Sequence, residues 1–172
     1  MEEKIYFSYM QIHKTVESLA KRIKKKKLEF DMIVAIGTGG FIPARIMKTY
    51  LKLPILTVGI RYYDDDNKPI ATPKKIQWID EVEQKIENKK VLLVDEIDDS
   101  RSTLVYCLTE LMRHKPSKIA VAVLHNKLKE KRAEFPKGIQ YFRGEDLEDH
   151  WVIYPWDAED IEEHTMHTRE FI

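Results

Sequence analysis

The sequence is nearly free of cysteine. Cys107 stands alone among 172 residues, so no disulfide can close within the chain, and a reducing compartment is expected. Neither sign of charge is in excess: 29 Lys and Arg face 29 Asp and Glu, which removes the overall field that recruits nucleic acid or anionic membrane. No apolar run approaches the roughly 20 residues of a membrane span. The opening "MEEKIYFSYM" is acidic and has no signal-peptide profile. Internal repeats, Ser/Gly-rich linkers and low-complexity tracts are also absent. These absences predict one cytoplasmic domain over residues 1–172, with neither nucleic acid nor membrane as partner. What is present is enough apolar content, 43%, for a substantial core.

The pattern of that content predicts an α/β fold. Ser8 and Gln11 make an S-x-x-Q capping box, and Ile12, Val16, Leu19, Ala20 and Ile23 follow at helical spacing, so 9–27 reads as a helix. "MIVAIG" (32–37), "PILTVGI" (54–60), "KVLLVD" (90–95) and "KIAVAVLH" (118–125) are short continuous apolar runs, as in buried strands. Helical patterns at 41–51, with Pro43 in the first turn, and at 102–114 alternate with them. Continuous apolar strands separated by helices predict a mainly parallel sheet covered on both faces. Residues 139–156 read as short strands and 157–168 as a terminal helix with acids in its first turn. Polar residues and two prolines make "RYYDDDNKPIATPKK" (61–75) read as a long loop, and loops of that length in compact domains are usually functional or disordered.

The stretch "VLLVDEIDDSRSTL" (91–104) concentrates the chemistry. Asp95 and Glu96 fall at the carboxyl end of a strand, where open parallel sheets bind ligands. Ionised carboxylates only accept hydrogen bonds, so they suit hydroxyls or a metal and repel phosphate. Ser100, Arg101, Ser102 and Thr103 then enter a helix, where hydroxyls, backbone N–H groups and the helix N-terminus suit a phosphate. A sugar phosphate has both features. A capped strand-to-helix turn with solvated acids is the plainer alternative.

The same 14 residues resemble the phosphoribosyl pyrophosphate (PRPP) motif of type I phosphoribosyltransferases: an apolar strand, two acids, two variable residues, a further acid, and a hydroxyl-rich loop ending in threonine. The resemblance implies the type I fold, a central parallel sheet flanked by helices, with a core over about 28–128 and a hood largely within 129–172. It implies that Asp95 and Glu96 hold the ribose hydroxyls and, through them, Mg²⁺, and that Ser100 to Thr103 hold the 5′-phosphate. Asp99 is implied as the catalytic acid/base near the purine N7. Many members carry glycine where this chain has Arg101, although the fungal hypoxanthine-guanine branch also carries arginine. Arginine enters left-handed geometry only at a cost, so a differently shaped loop is expected, with the guanidinium near the phosphate or turned to solvent.

Three further segments fit the resemblance. "AIGTGGFIPARI" (35–46) matches the pyrophosphate loop, implying roles for Thr38, Gly39 and Gly40 and a cis peptide at Gly37–Thr38. Purine enzymes often have a cation at the Thr38 position, so Arg61 or Arg45 is expected to supply the charge. Residues 61–75 match the mobile catalytic loop, which excludes water from an activated sugar. Lys127, ending "VAVLHNK", matches the lysine that donates to the purine O6, and "HWVIYPWD" (150–157) matches the segment in which Trp151 stacks on the base and Val152 reads its edge. Ile97 joins this purine-binding set. The resemblance is closest to fungal hypoxanthine-guanine and bacterial xanthine-guanine enzymes, and implies a homodimer that takes PRPP and a purine base. The other readings are a nucleotide-sensing regulator of the same fold and an enzyme for another base. A receiver domain would explain Asp95 and Glu96 but not the hydroxyl loop or the Gly-Gly turn.

Other charged motifs carry less. "KRIKKKK" (21–27) ends a helix, where cations suit the dipole, and no aromatic platform is interleaved. "DDD" (64–66) reads as a solvated turn, "HTMH" (164–167) as weak evidence for zinc, and Asp98 as a solvent-facing spacer.

Overall fold

The computed structural model describes residues 4–63 and 69–168. Six strands form the main sheet: β2 (Met32–Gly37), β3 (Ile55–Tyr63), β4 (Pro69–Gln77), β5 (Lys90–Asp98), β6 (Lys118–Lys127) and β7 (Gln140–Leu147), in the order β4-β3-β2-β5-β6-β7. All neighbours are parallel except β3 and β4. The continuous apolar strands divide by parity, as a pleat covered on both sides requires. Ile33, Ala35, Leu92, Val94, Ala120 and Ala122 face one core with helices α1 (Tyr9–Lys25) and α2 (Phe41–Leu51). Val34, Ile36, Val91, Leu93, Val121 and Val123 face the other, with α3 (Val82–Ile86) and α4 (Ser102–Met112).

Local signals set the helix boundaries. At α1, Ser8 Oγ accepts from the Gln11 backbone N–H at 3.2 Å and Gln11 Oε1 accepts from that of Ser8 at 2.7 Å, the capping box read from sequence. Arg22, Lys24 and Lys25 occupy its last turn. The terminal helix α5 (Ile161–His167) starts later than the acidic run suggests, because Asp160 caps it and a 3₁₀ turn fills Pro155–Asp157.

Three features depart from the sequence reading. Much of 61–75 is not loop: β3 continues to Tyr63 and β4 returns antiparallel from Pro69, pairing Arg61 with Lys74. β4 is an edge strand, which tolerates solvent-facing lysines and prolines, and Pro73 falls where the register slips between Arg61 and Tyr63. Residues 64–66, expected as a solvated turn, lie outside the described residues. The short α3 was not anticipated, and neither was β1 (Lys4–Tyr6). β1 pairs in parallel with β8 (Trp151–Ile153), Ile5 opposite Val152, forming a separate two-stranded sheet from both ends of the chain. In "HTMH", His164 is buried, with Nε2 2.9 Å from the Phe7 carbonyl oxygen, a packing role. Among the described residues, no helix is long and apolar enough to cross a membrane.

Candidate active site

The carboxyl ends of β2, β5 and β6 converge with β8 and the 3₁₀ turn around a pocket of about 440 Å³. Its centre is acidic. Asp95 is buried, and its Oδ1 accepts from the Glu96 backbone N–H at 3.0 Å. Burial first, and the Glu96 charge second, push the Asp95 carboxyl well above the usual carboxylate range. Glu96 Oε2 is buried with no hydrogen-bond partner among the described residues. Buried carboxylate oxygens without donors suit ligand hydroxyls or a hard cation. Gly39 makes room for them: a Cβ there would fall 2.2 Å from the Glu96 carboxyl carbon.

On one side, the turn into α4 gathers hydroxyls. Ser100 Oγ donates to Ser102 Oγ at 3.2 Å, and Ser100, Arg101 and Thr103 line the pocket. Arg101 does adopt left-handed geometry, with φ of 69°. Its guanidinium is neither at the phosphate position nor in solvent. Nε and Nη2 donate to Asp98 Oδ2 at 3.0 and 2.9 Å, and the group lies over the Phe135 ring at 4.3 Å. Asp98 is therefore no solvent-facing spacer. It is fully buried and also accepts from the Tyr141 hydroxyl at 2.9 Å. Of Arg101, it is the backbone that faces a ligand at this loop, beside the Ser100 and Thr103 side chains.

The opposite end suits a base. The Lys127 ammonium, 7% exposed as a residue, sits 3.6 Å from Asp99 Oδ1 and 3.3 Å from Asp149 Oδ1. Lys129 is closer to both, at 2.9 Å. Ile97, Trp151 and Val152 line the same end. Trp151 is 54% exposed, so it is not a core residue but an aromatic wall with a face available for stacking.

Not every sequence candidate converges. Thr38 and Gly39 line the pocket and the Gly37–Thr38 peptide is cis. Gly40 does not line it; its missing Cβ lets α2 pack close, since that atom would fall 2.5 Å from the Ile36 carbonyl oxygen and 2.8 Å from that of Val94. Arg61 lies exposed on β3 and Arg45 binds Thr49 at 3.2 Å; neither lines the pocket. Sequence reasoning missed Tyr62, Tyr154 and Asp157, which do. Tyr62 was hidden by the loop reading. Its hydroxyl bonds Ser102 first, then Arg132, lowering the phenol pKa. Tyr154 and Asp157 stood inside "HWVIYPWD" without a distinguishing signal; Tyr154 Oη is 2.8 Å from His125 Nδ1.

Residues 4–159 match the phosphoribosyl transferase domain family. The chain belongs to that family. Xanthine phosphoribosyltransferase 1 of Saccharomyces cerevisiae is 39% identical over 95% of this chain and 94% of its own. The hypoxanthine-guanine phosphoribosyltransferase of Schizosaccharomyces pombe is 38% identical over the same shares. A crystal structure of a hypothetical protein from Neisseria gonorrhoeae with bound ppGpp superposes with a TM-score of 0.89, at 45% identity and 96% coverage of both chains. This phosphoribosyltransferase thus aligns over about 95% of its length with xanthine and hypoxanthine-guanine phosphoribosyltransferases, and its mostly parallel sheet flanked by helices is the architecture of that family.

Proposed function

We propose that this phosphoribosyltransferase moves the 5-phosphoribosyl group from PRPP to N9 of a 6-oxopurine, giving the nucleoside 5′-monophosphate and pyrophosphate. One observation carries the reading: an acid pair, a hydroxyl-rich helix start and a buried lysine line one pocket, the chemistry that suits a ribose, its 5′-phosphate and an oxopurine. An ammonium only donates, so Lys127 favours an oxo group over the amino group of adenine.

The residues act mainly by position and charge. Asp95 and Glu96 hold the ribose hydroxyls, while Ser100, Ser102, Thr103 and the Arg101 backbone hold the 5′-phosphate. Trp151 and Val152 set the base plane and Ile97 lies beneath it. The N9–C1 bond forms as the bond from C1 to pyrophosphate breaks, and Asp99 takes the proton the purine ring releases through N7. Thr38 and Gly39 face the departing pyrophosphate. The orphaned Glu96 oxygen and buried Asp95 fit Mg²⁺ and would hold it, and it would supply neutralisation of the charge on the leaving pyrophosphate. The homodimer is supported by the family resemblance, and sedimentation velocity tests it.

The decisive assay offers PRPP and Mg²⁺ with hypoxanthine, guanine, xanthine and adenine separately. Turnover of one or more oxopurines, lost in Lys127→Ala, is expected; turnover of adenine alone would overturn the base assignment. A second reading is favoured by the Neisseria gonorrhoeae neighbour with bound ppGpp. ppGpp is a 6-oxopurine nucleotide with additional phosphates, and this pocket has donors on two sides of its acid pair. We propose that it binds here and competes with PRPP; a PRPP KM unaffected by ppGpp would exclude that.

A further inference from the structure

Behind the base end of the pocket, one ammonium ties two strand ends together. Lys131 lies in the irregular segment after β6, four residues beyond Lys127. Its Nζ donates to the backbone carbonyl oxygens of Asp98 at 2.7 Å, Asp99 at 2.9 Å and Lys127 at 2.8 Å. An ammonium has three N–H donors, so all are spent on backbone. The side chain is 9% exposed and does not line the pocket. Burying a charge is costly unless it is paired and hydrogen-bonded, and here the Asp98 carboxylate, 3.6 Å away, offsets part of that cost.

The position of these contacts gives them a use. The β5–β6 ladder ends with Asp98 opposite Asn126. Asp99 is the first residue after β5 and Lys127 the last of β6, so both come just beyond that last pair. Lys131 therefore supplies the connection where the β5–β6 ladder stops. We propose, on the base-pocket reading above, that Lys131 is a positioning residue for purine recognition: it fixes the separation of Asp99 and Lys127, and so the fit to N7 and O6 of the base. It touches neither substrate.

Lys131→Met keeps the apolar stem and removes all three donors. Lys131→Arg keeps the charge beside Asp98 and hence the fold, but a planar fork cannot aim three bonds from one nitrogen at converging carbonyls. Calorimetry with GMP and with ribose 5-phosphate reads the effect without turnover. GMP affinity should fall about tenfold in Lys131→Met, while that for ribose 5-phosphate stays within about twofold. Lys131→Arg should show the same direction at smaller size. In turnover, the KM for the base should rise and that for PRPP should not. GMP affinity unchanged in both variants, or both ligands weakened in parallel, overturns the proposal, the latter being the mark of a diffuse structural role. A wild-type protein that binds GMP with this mutant pattern but turns over no oxopurine would sink the reaction proposed above and leave Lys131's role standing. Wild-type protein that binds neither ligand overturns both.

Discussion

At the scale of single residues, the phosphate loop shows how an unfavourable backbone is held. A side chain at left-handed φ costs roughly 1–2 kcal/mol, and Arg101 offsets this through a two-nitrogen contact to buried Asp98 and stacking on Phe135. Arg101→Ala keeps the backbone cost and leaves buried Asp98 with only the Tyr141 hydroxyl and the nearby Lys131 ammonium, so it should destabilise by about 1–3 kcal/mol. Arg101→Gly should lose roughly 1 kcal/mol less, and adding Asp98→Asn should recover part of the remainder. Urea denaturation measures each step, and an Arg101→Ala protein as stable as wild type would show that the pair contributes nothing. Asp95 makes the opposite trade. Its folded pKa lies above its unfolded value, so its contribution to stability is present below the ordinary carboxylate range and is lost as pH rises through the folded value. Asp95→Asn should therefore raise the melting temperature at pH 7.5, change it little at pH 4, and abolish turnover. Asp99→Ala should lower kcat by about 10²-fold or more if Asp99 does acid–base work; an unchanged kcat removes that role.

At the scale of elements, adjacent glycines separate function from folding. A Cβ on Gly39 meets the movable end of Glu96, whereas one on Gly40 meets two backbone carbonyls that cannot yield. Gly39→Ala should raise the PRPP KM by about tenfold or more with a nearly unchanged melting temperature. Gly40→Ala should cost roughly 1–3 kcal/mol of stability. Equal thermal shifts in the two variants would contradict this division. The same scale explains what the sequence pattern hid. The β3–β4 hairpin extends an edge where polar residues are free to face water, so its composition is that of a loop. β1 is three residues long, too short for any periodicity, and exists only because β8 is there to pair with it.

At the scale of the whole molecule, the junction between the two sheets is aromatic. His125, at the end of β6, is fully buried with its ring stacked on Phe7 and Tyr154 at 4.1 and 5.6 Å. Phe7 follows β1 and Tyr154 follows β8, so this stack joins the small sheet to the large one beside the pocket. Burial pulls the His125 pKa down to about 3. A depressed folded value means the neutral ring stabilises the fold above the ordinary histidine range, and that contribution is lost as pH falls from about 6.5 toward 3. Acid denaturation of wild type should therefore begin in that window, and His125→Phe should move its onset lower. Coincident acid limbs would remove His125 from the account.

The sequence by itself determined the parallel sheet, because strands buried on both faces must be apolar throughout. It also pointed to the acid pair, the hydroxyl turn, Gly39 and Lys127 as neighbours in one pocket, because the carboxyl ends of parallel strands lie side by side. Tertiary structure decided the rest. Asp98 reads as a solvent-facing charge in sequence and Arg101 as one near the phosphate or turned to solvent, and only the approach of Tyr141 and Phe135 from distant segments makes them a buried pair. Tyr62, Tyr154 and Lys131 carry no local mark at all. Each acquires its place from a contact across the fold, and pairings between residues far apart along the chain leave no periodic trace in it.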